Sequence, residues 1–131
     1  MPVRRLPAAP GAGRPVSAIA YKLVDADEWR AAGDAYDGSA ADRADGYIHM
    51  STSAQLATTA ARHYRGRANL LLLDVDTDRL GDAVVWEPSR GGALFPHIYG
   101  PLPRSAVVSE RRLAVDTDGV MHFDDGAVGW G

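Results

Sequence analysis

The stretch Gly46–Asp76, GYIHMSTSAQLATTAARHYRGRANLLLLDVD, sets three elements in a row, and the rest of the chain is read outward from it. Tyr47-Ile48-His49-Met50-Ser51 alternates with period two, which predicts a strand with Tyr47, His49 and Ser51 on one face. Thr52 or Ser53 then caps a helix running to about Arg65. Its Leu56, Ala57, Ala60, Ala61 and Tyr64 fall on one stripe, and Gly66 is placed to stop it. Leu70 to Val75 is a continuous apolar run, the pattern of a strand covered on both faces.

On the N-terminal side, Ala18 to Val24 reads as a short strand. Asp25 with Glu28 three residues on forms a capping-box pattern that opens a helix through Arg30 or Ala32. Asp37-Gly38 marks a turn, and Ser39 is placed to cap a short helical turn before Asp45-Gly46. On the C-terminal side, strands are predicted over Val84–Glu87 and Phe95–Tyr99, separated by the loop Pro88-Ser89-Arg90-Gly91-Gly92. Ala106–Val115 and Val120–Phe123 then pair as a hairpin across Asp116-Thr117-Asp118-Gly119. Helices interleave early and strands dominate later, which predicts an α+β domain with small helices on a mixed or antiparallel sheet. It is not the regular alternation of a doubly wound fold.

The chain has 131 residues, 46 % of them hydrophobic, which is enough for one core. Four of the eight prolines and three arginines lie in residues 1–17 with no acid, so that segment is expected to be a disordered leader before one α+β domain over 18–131. Without those three arginines, 11 cations face 17 acids, a net −6. That balance argues against a nucleic-acid or membrane-surface partner. No apolar run approaches the ~20 residues of a membrane span, and a cytoplasmic location is expected. Cysteine is absent, which removes disulfides, thiolate nucleophiles and thiolate zinc sites.

His49 sits mid-strand between apolar neighbours, where an imidazole must find a partner or face a cleft. His97 and Tyr99 share a face in Phe95-Pro96-His97-Ile98-Tyr99-Gly100, so two strands each present a histidine beside a hydroxyl. Glu87 follows Trp86 at the mouth of the Gly-Gly loop, a setting for a carboxylate of shifted pKa or a substrate clamp. The spacing of His49, Glu87 and His97, 38 and 10 residues, matches no metal motif, and no metal is expected. Arg62-His63-Tyr64-Arg65-Gly66-Arg67 is a basic cluster at a helix C-terminus, too small for a nucleic-acid footprint but able to hold a phosphate. Asp74-Val75-Asp76-Thr77-Asp78 lacks the glycine and closing glutamate of a calcium loop, and His122 and the tail are read as peripheral.

Tyr21-Lys22-Leu23, Gly46–Thr52, Trp86-Glu87 and Phe95–Gly100, in that order, resemble the bacterial domain of unknown function 952 family over roughly residues 18–109. More distantly, the chain is similar to RNA 2′-phosphotransferases of the ADP-ribosyltransferase-like fold, a split, mostly antiparallel sheet that clamps NAD in a cleft. Ile48-His49-Met50-Ser51 matches their Val-His-Leu-Ser strand, and Ser51-Thr52-Ser53 looks like the Ser-Thr-Ser element of arginine-class toxins. The third motif falls near His97 or Tyr99. Lys22 stands where the family's first-motif histidine positions the NAD ribose, and Leu23-Val24 stands for its glycine-threonine pair.

The resemblance implies His49, Glu87 and His97 as the catalytic group and Tyr21, Lys22, Ser51, Thr52 and Tyr99 as ligand-binding residues, with NAD as the implied cofactor. Three functions stay open on the sequence. The first is a transferase acting on a nucleotide-type or other phosphorylated ligand, with Glu87 meeting positive charge at the ribose. The second is a non-catalytic module binding a small molecule or a partner. The third is a cofactor-free small-molecule enzyme using His49 and His97 as acid and base. All three have a small-molecule ligand as the main expectation, and none sets an oligomeric state.

Overall fold

A computed structural model describes residues 19–130. The expected leader, residues 1–17, lies outside the described residues. In chain order the elements are β1 (Ile19–Asp25), α1 (Ala26–Ala31), β2 (Ala35–Tyr36), α2 (Ala40–Asp45), β3 (Ile48–His49), α3 (Ser53–His63) and β4 (Leu70–Asp76). They continue with β5 (Val84–Pro88), β6 (Leu94–Ile98), β7 (Leu102–Pro103), β8 (Val107–Val115) and β9 (Met121–Phe123). The architecture is α+β, with antiparallel sheets and few helices, as the distribution of elements predicts.

A four-stranded sheet has the order β1-β4-β8-β9, and a three-stranded sheet has the order β3-β6-β5. The β2–β7 ladder is separate. The two larger sheets meet at a single bridge, where the backbones of Tyr21 and Ser51 exchange two hydrogen bonds of 2.8 Å. Beyond that bridge β1 pairs with β4 while β3 pairs with β6.

The apolar run on β4 is explained by the two cores flanking it. Leu71, Leu73 and Val75 point into a core with Trp29, Ile48, Ile98 and Leu102. Leu70 and Leu72 point the other way, into a core with Leu56, Leu113, Met121 and Phe123. A strand buried on both faces alternates nothing. β1 divides between the same two sides: Ala20 and Val24 join the first core and Leu23 the second. Lys22 sits on the first side and is only 3 % exposed.

Each helix starts as its residues predict. Asp25 accepts the Glu28 N–H at 3.0 Å. Ser39 and Asp42 form a reciprocal capping box, as do Thr52 and Gln55. On α3, Leu56 and Ala60 are buried and Ala61 and Tyr64 half-buried, whereas Ala57 of the predicted stripe is exposed. The helix ends at His63, two residues short of the expected Arg65, with Tyr64 closing it onto the Ala60 carbonyl. The expected strand Tyr47–Ser51 pairs regularly only at Ile48 and His49. Ser51 has already left β6 to bridge β1, because Thr52 must turn to cap α3. The sequence gives no signal for β2 and β7, since a two-residue ladder has no period to read. The tail is not peripheral: Trp130 donates Nε1–H to the Ser53 carbonyl at 3.0 Å and lies edge-on to Tyr21.

Candidate functional site

Register builds the site. In the three-stranded sheet His49 lies directly opposite His97, and His97 opposite Val85, so both imidazoles project from the same face. Their ring centroids are 5.5 Å apart, edge to face. Tyr47 stacks on His97 at 4.2 Å and touches His49 at 4.8 Å and Tyr99 at 5.3 Å. Four aromatic rings from two segments about fifty residues apart therefore form one cluster.

Each histidine has a carboxylate at Nδ1. On one side His97, buried at 2 % exposure, meets Glu87 Oε1 at 2.6 Å. The Tyr99 hydroxyl donates to both oxygens of Glu87, at 2.9 and 3.0 Å. The hydrogen bond to His97 is the main reason the Glu87 carboxyl is held below the usual carboxylate range, with that to Tyr99 adding to it against partial desolvation. Burial, then the bond to Glu87, pushes the Tyr99 phenol up to about 12. Glu87 is thus an ionised carboxylate, one-third exposed, fixed from behind by a buried imidazole and from the side by a phenol.

On the other side Asp42 is 2 % exposed and collects four partners. Its Oδ1 accepts from the His49 backbone N–H at 3.1 Å and meets His49 Nδ1 at 2.5 Å. Its Oδ2 accepts from the Ser39 N–H at 2.9 Å and faces Lys22 Nζ at 2.9 Å. Burial alone would raise the Asp42 carboxyl. The His49 hydrogen bond, the Lys22 charge and the Ser39 N–H outweigh it and hold the group well below the usual range. His49 Nε2 faces Asp45 Oδ2 at 2.9 Å, so both of its ring nitrogens point at carboxylates. Gly38 closes this corner: its φ is +105°, and a Cβ there would lie 2.7 Å from the Asp42 Cβ.

Of the residues singled out from the sequence, the structure brings together His49, Glu87, His97 and Tyr99, with Lys22 beneath Asp42. It separates the other three. Tyr21 points to the opposite side of β1, against Trp130. The Ser51 hydroxyl is paired with Thr59 Oγ1 at 2.8 Å, and the Thr52 hydroxyl caps α3. Lys22 does not offer a charge to solvent; its ammonium acts only through Asp42. The two histidines differ in what they leave free. His49 is held at both nitrogens, whereas His97 Nε2 has no hydrogen-bond partner among the described residues. Of the two rings, His97 is thus the one with a nitrogen left for a ligand.

Sequence reasoning missed Asp42, Asp45 and the packing role of Tyr47. The signal for Asp42 is the Ser39-Ala40-Ala41-Asp42 spacing of a capping box, which puts its carboxylate at the helix start and within reach of β3. Among the described residues no three histidine, aspartate or glutamate side chains gather as a metal cluster. Beside α3, an open depression of about 370 Å³ is lined by Ala54, Gln55, Thr58 and Arg62 of that helix with Gly91 and Phe95. Of the residues singled out from the sequence, Arg62 of the basic cluster lines it, and none of the catalytic or ligand-binding candidates does.

A family model described as a protein of unknown function, DUF952, matches residues 23–110. The chain is similar to the crystal structure of protein CC0527 from Caulobacter crescentus. Identity is 48 %, covering 79 % of this chain and 93 % of that one, with a TM-score of 0.75. It is also similar to the solution structure of CC0527, at 48 % identity over 78 % of this chain and 90 % of that one, with a TM-score of 0.68. No curated protein matches. Among the described residues no helix is long and apolar enough to cross a membrane.

Proposed function

The chain belongs to the DUF952 family of proteins of unknown function, and from that premise we propose that the face built by β3 and β6 is the ligand site of an ADP-ribosyltransferase-like domain in the cytoplasm. Its ligand is a small nucleotide-type molecule, and Glu87 is the group that meets it. The observation carrying this reading is the Glu87 carboxylate, held ionised and part-exposed by His97 at 2.6 Å and Tyr99 at 2.9 Å. A carboxylate so fixed stabilises positive charge as it develops at the anomeric carbon of a ribosyl group, without having to reorganise. The exposed Tyr99 ring and the rim of Tyr47 offer aromatic surface to a base. His49, held at both ring nitrogens by Asp42 and Asp45, acts as a fixed wall of the site. Two separate antiparallel sheets linked at the Tyr21–Ser51 bridge support the scaffold reading.

NAD, held as the phosphotransferases hold it, does not fit. The first-motif position is Lys22, 3 % exposed and locked onto Asp42, so it reaches no ribose. Among the described residues Lys22 is also the only lysine or arginine paired with a carboxylate of the cluster.

Titration calorimetry of the wild type with adenosine, AMP, ADP-ribose and NAD, beside assays of base and nicotinamide release, tests the proposal. AMP or ADP-ribose is expected to bind, with NAD no tighter than ADP-ribose. Glu87→Gln should keep affinity within about twofold and lower turnover at least about tenfold, ~1.4 kcal/mol of transition-state stabilisation. Binding without turnover would leave a binding module, the second reading, and sink the catalytic one. No binding by any of the four compounds overturns both.

A further inference from the structure

The depression beside α3 shares Phe95 with the strand pair that carries Glu87 and His97, and we infer that it is an anion subsite, with Arg62 receiving the phosphate of the ligand whose ribosyl end meets Glu87. The inference rests on the reading of that face as a nucleotide-type site. Phe95 is the shared wall. In register it lies directly opposite Glu87, and on β6 it stands two residues from His97, so all three project to one side of the sheet. The same Phe95 lines the depression together with Gln55, Thr58 and Arg62. One strand pair, roughly 5–7 Å, separates the carboxylate from the wall of the depression.

The chemistry of the lining fits an anion. Arg62 makes no ion pair among the described residues, whereas Arg65 is used on the Thr117 carbonyl and Arg67 on the Tyr64 ring. A guanidinium with no carboxylate of its own, set in a concavity beside the Thr58 hydroxyl, offers the fork that pairs with two phosphate oxygens. Gln55 is fixed there by its side-chain N–H on the Leu94 carbonyl at 2.7 Å, and one amide hydrogen remains for a ligand. Gly91 contributes backbone to the lining in a left-handed conformation, φ +69°, that favours glycine. The histidine cluster is rich in carboxylates, and among the described residues no lysine or arginine pairs with Glu87 or Asp45, so a phosphate is turned away there and received at Arg62. The division fixes the orientation of the ligand: base and ribose toward Tyr99 and Glu87, phosphate toward α3.

The test follows the amide and side-chain NMR signals of the full chain during titration with inorganic phosphate, AMP and adenosine, in the wild type and in Arg62→Gln and Arg62→Lys. Phosphate alone should shift Gln55, Thr58, Arg62 and Gly91 saturably while leaving Tyr47 and His97 still. AMP should move both groups and bind about tenfold tighter than adenosine. Arg62→Gln should erase that difference and leave adenosine unchanged, and Arg62→Lys should restore part of it. An exposed residue is replaced, and unchanged thermal midpoints of the variants confirm that the fold is intact. The subsite is overturned if phosphate gives no saturable shift there, or if Arg62→Gln keeps the preference for AMP. If AMP moves only the Arg62 group and never Tyr47, His97 or Tyr99, the subsite stands and the reading of the histidine face falls.

Discussion

Replacing Lys22 by methionine isolates what holds the site together. The side chain is 3 % exposed and its ammonium lies 2.9 Å from Asp42 Oδ2. Methionine fills much the same volume, so the change removes a charge and leaves little cavity. What remains is a carboxylate at 2 % exposure, still accepting from Ser39, from the His49 backbone and from the His49 ring, but with no permanent cation beside it. Breaking a buried pair from one side costs ~3–5 kcal/mol. The three surviving donors place this case near the lower end, about 3 kcal/mol, or roughly 12 °C in thermal midpoint for a chain of this size. The pH dependence has a definite sign. The folded Asp42 is held well below its unfolded value, so its contribution is present in full above ~pH 5 and is lost as pH falls through the folded value. Without Lys22 that folded value rises, and the loss sets in at higher pH. Urea unfolding followed by tryptophan fluorescence from pH 3 to 8, with Trp29 in the core as reporter, measures both effects. A cost under ~1 kcal/mol at pH 7, or an acid limb unmoved from that of the wild type, would refute a buried ion pair under the site.

Three further outcomes follow from the same geometry. Ser51→Ala should cost about 1–2 kcal/mol, because it strands Thr59 Oγ1, and it should leave AMP affinity unchanged since the hydroxyl faces α3; a tenfold loss of affinity at unchanged stability would put Ser51 back among the ligand-binding residues. Gly38→Ala combines a left-handed backbone at φ +105° with a 2.7 Å approach to Asp42, so about 2 kcal/mol is lost and the β3 end of the site shifts; spectra of Tyr47 and His49 identical to the wild type would contradict it. With its phenol raised to about 12, Tyr99 keeps its proton at pH 10. Ultraviolet titration of the wild type against Tyr99→Phe should therefore show no tyrosinate from this residue below pH 10, and its appearance there would mean the bond to Glu87 is absent in solution.

Much of the fold was legible because its signals are local. The Asp25 cap, the Thr52 cap with its helix, the apolar run of β4 and the hairpin into β9 each depend on residues within one element, so spacing alone places them. The face each histidine takes on its own strand was legible too, since period-two alternation groups His49 with Tyr47 and His97 with Tyr99, but that the two strands pair came only from the structure. Elements whose existence depends on a distant partner were not legible. The two-residue ladder of Ala35-Tyr36 with Leu102-Pro103 has no period, and the turn of Ser51 away from β6 is set by where β1 lies.

The amino-acid sequence by itself determined the α+β class, the family resemblance and which side chains could carry chemistry. It did so because composition, caps and periodicity are properties of neighbours along the chain. Tertiary structure alone decided what those side chains do. Lys22 and Ser51 have the same one-dimensional credentials as His49 and Glu87. Yet burial turned Lys22 toward Asp42 and Ser51 toward Thr59, while register set His49 against His97 and left Glu87 at the surface. Exposure, partner and charge state arise only when segments far apart in sequence exclude water from one another, and no spacing along the chain encodes which of them will meet.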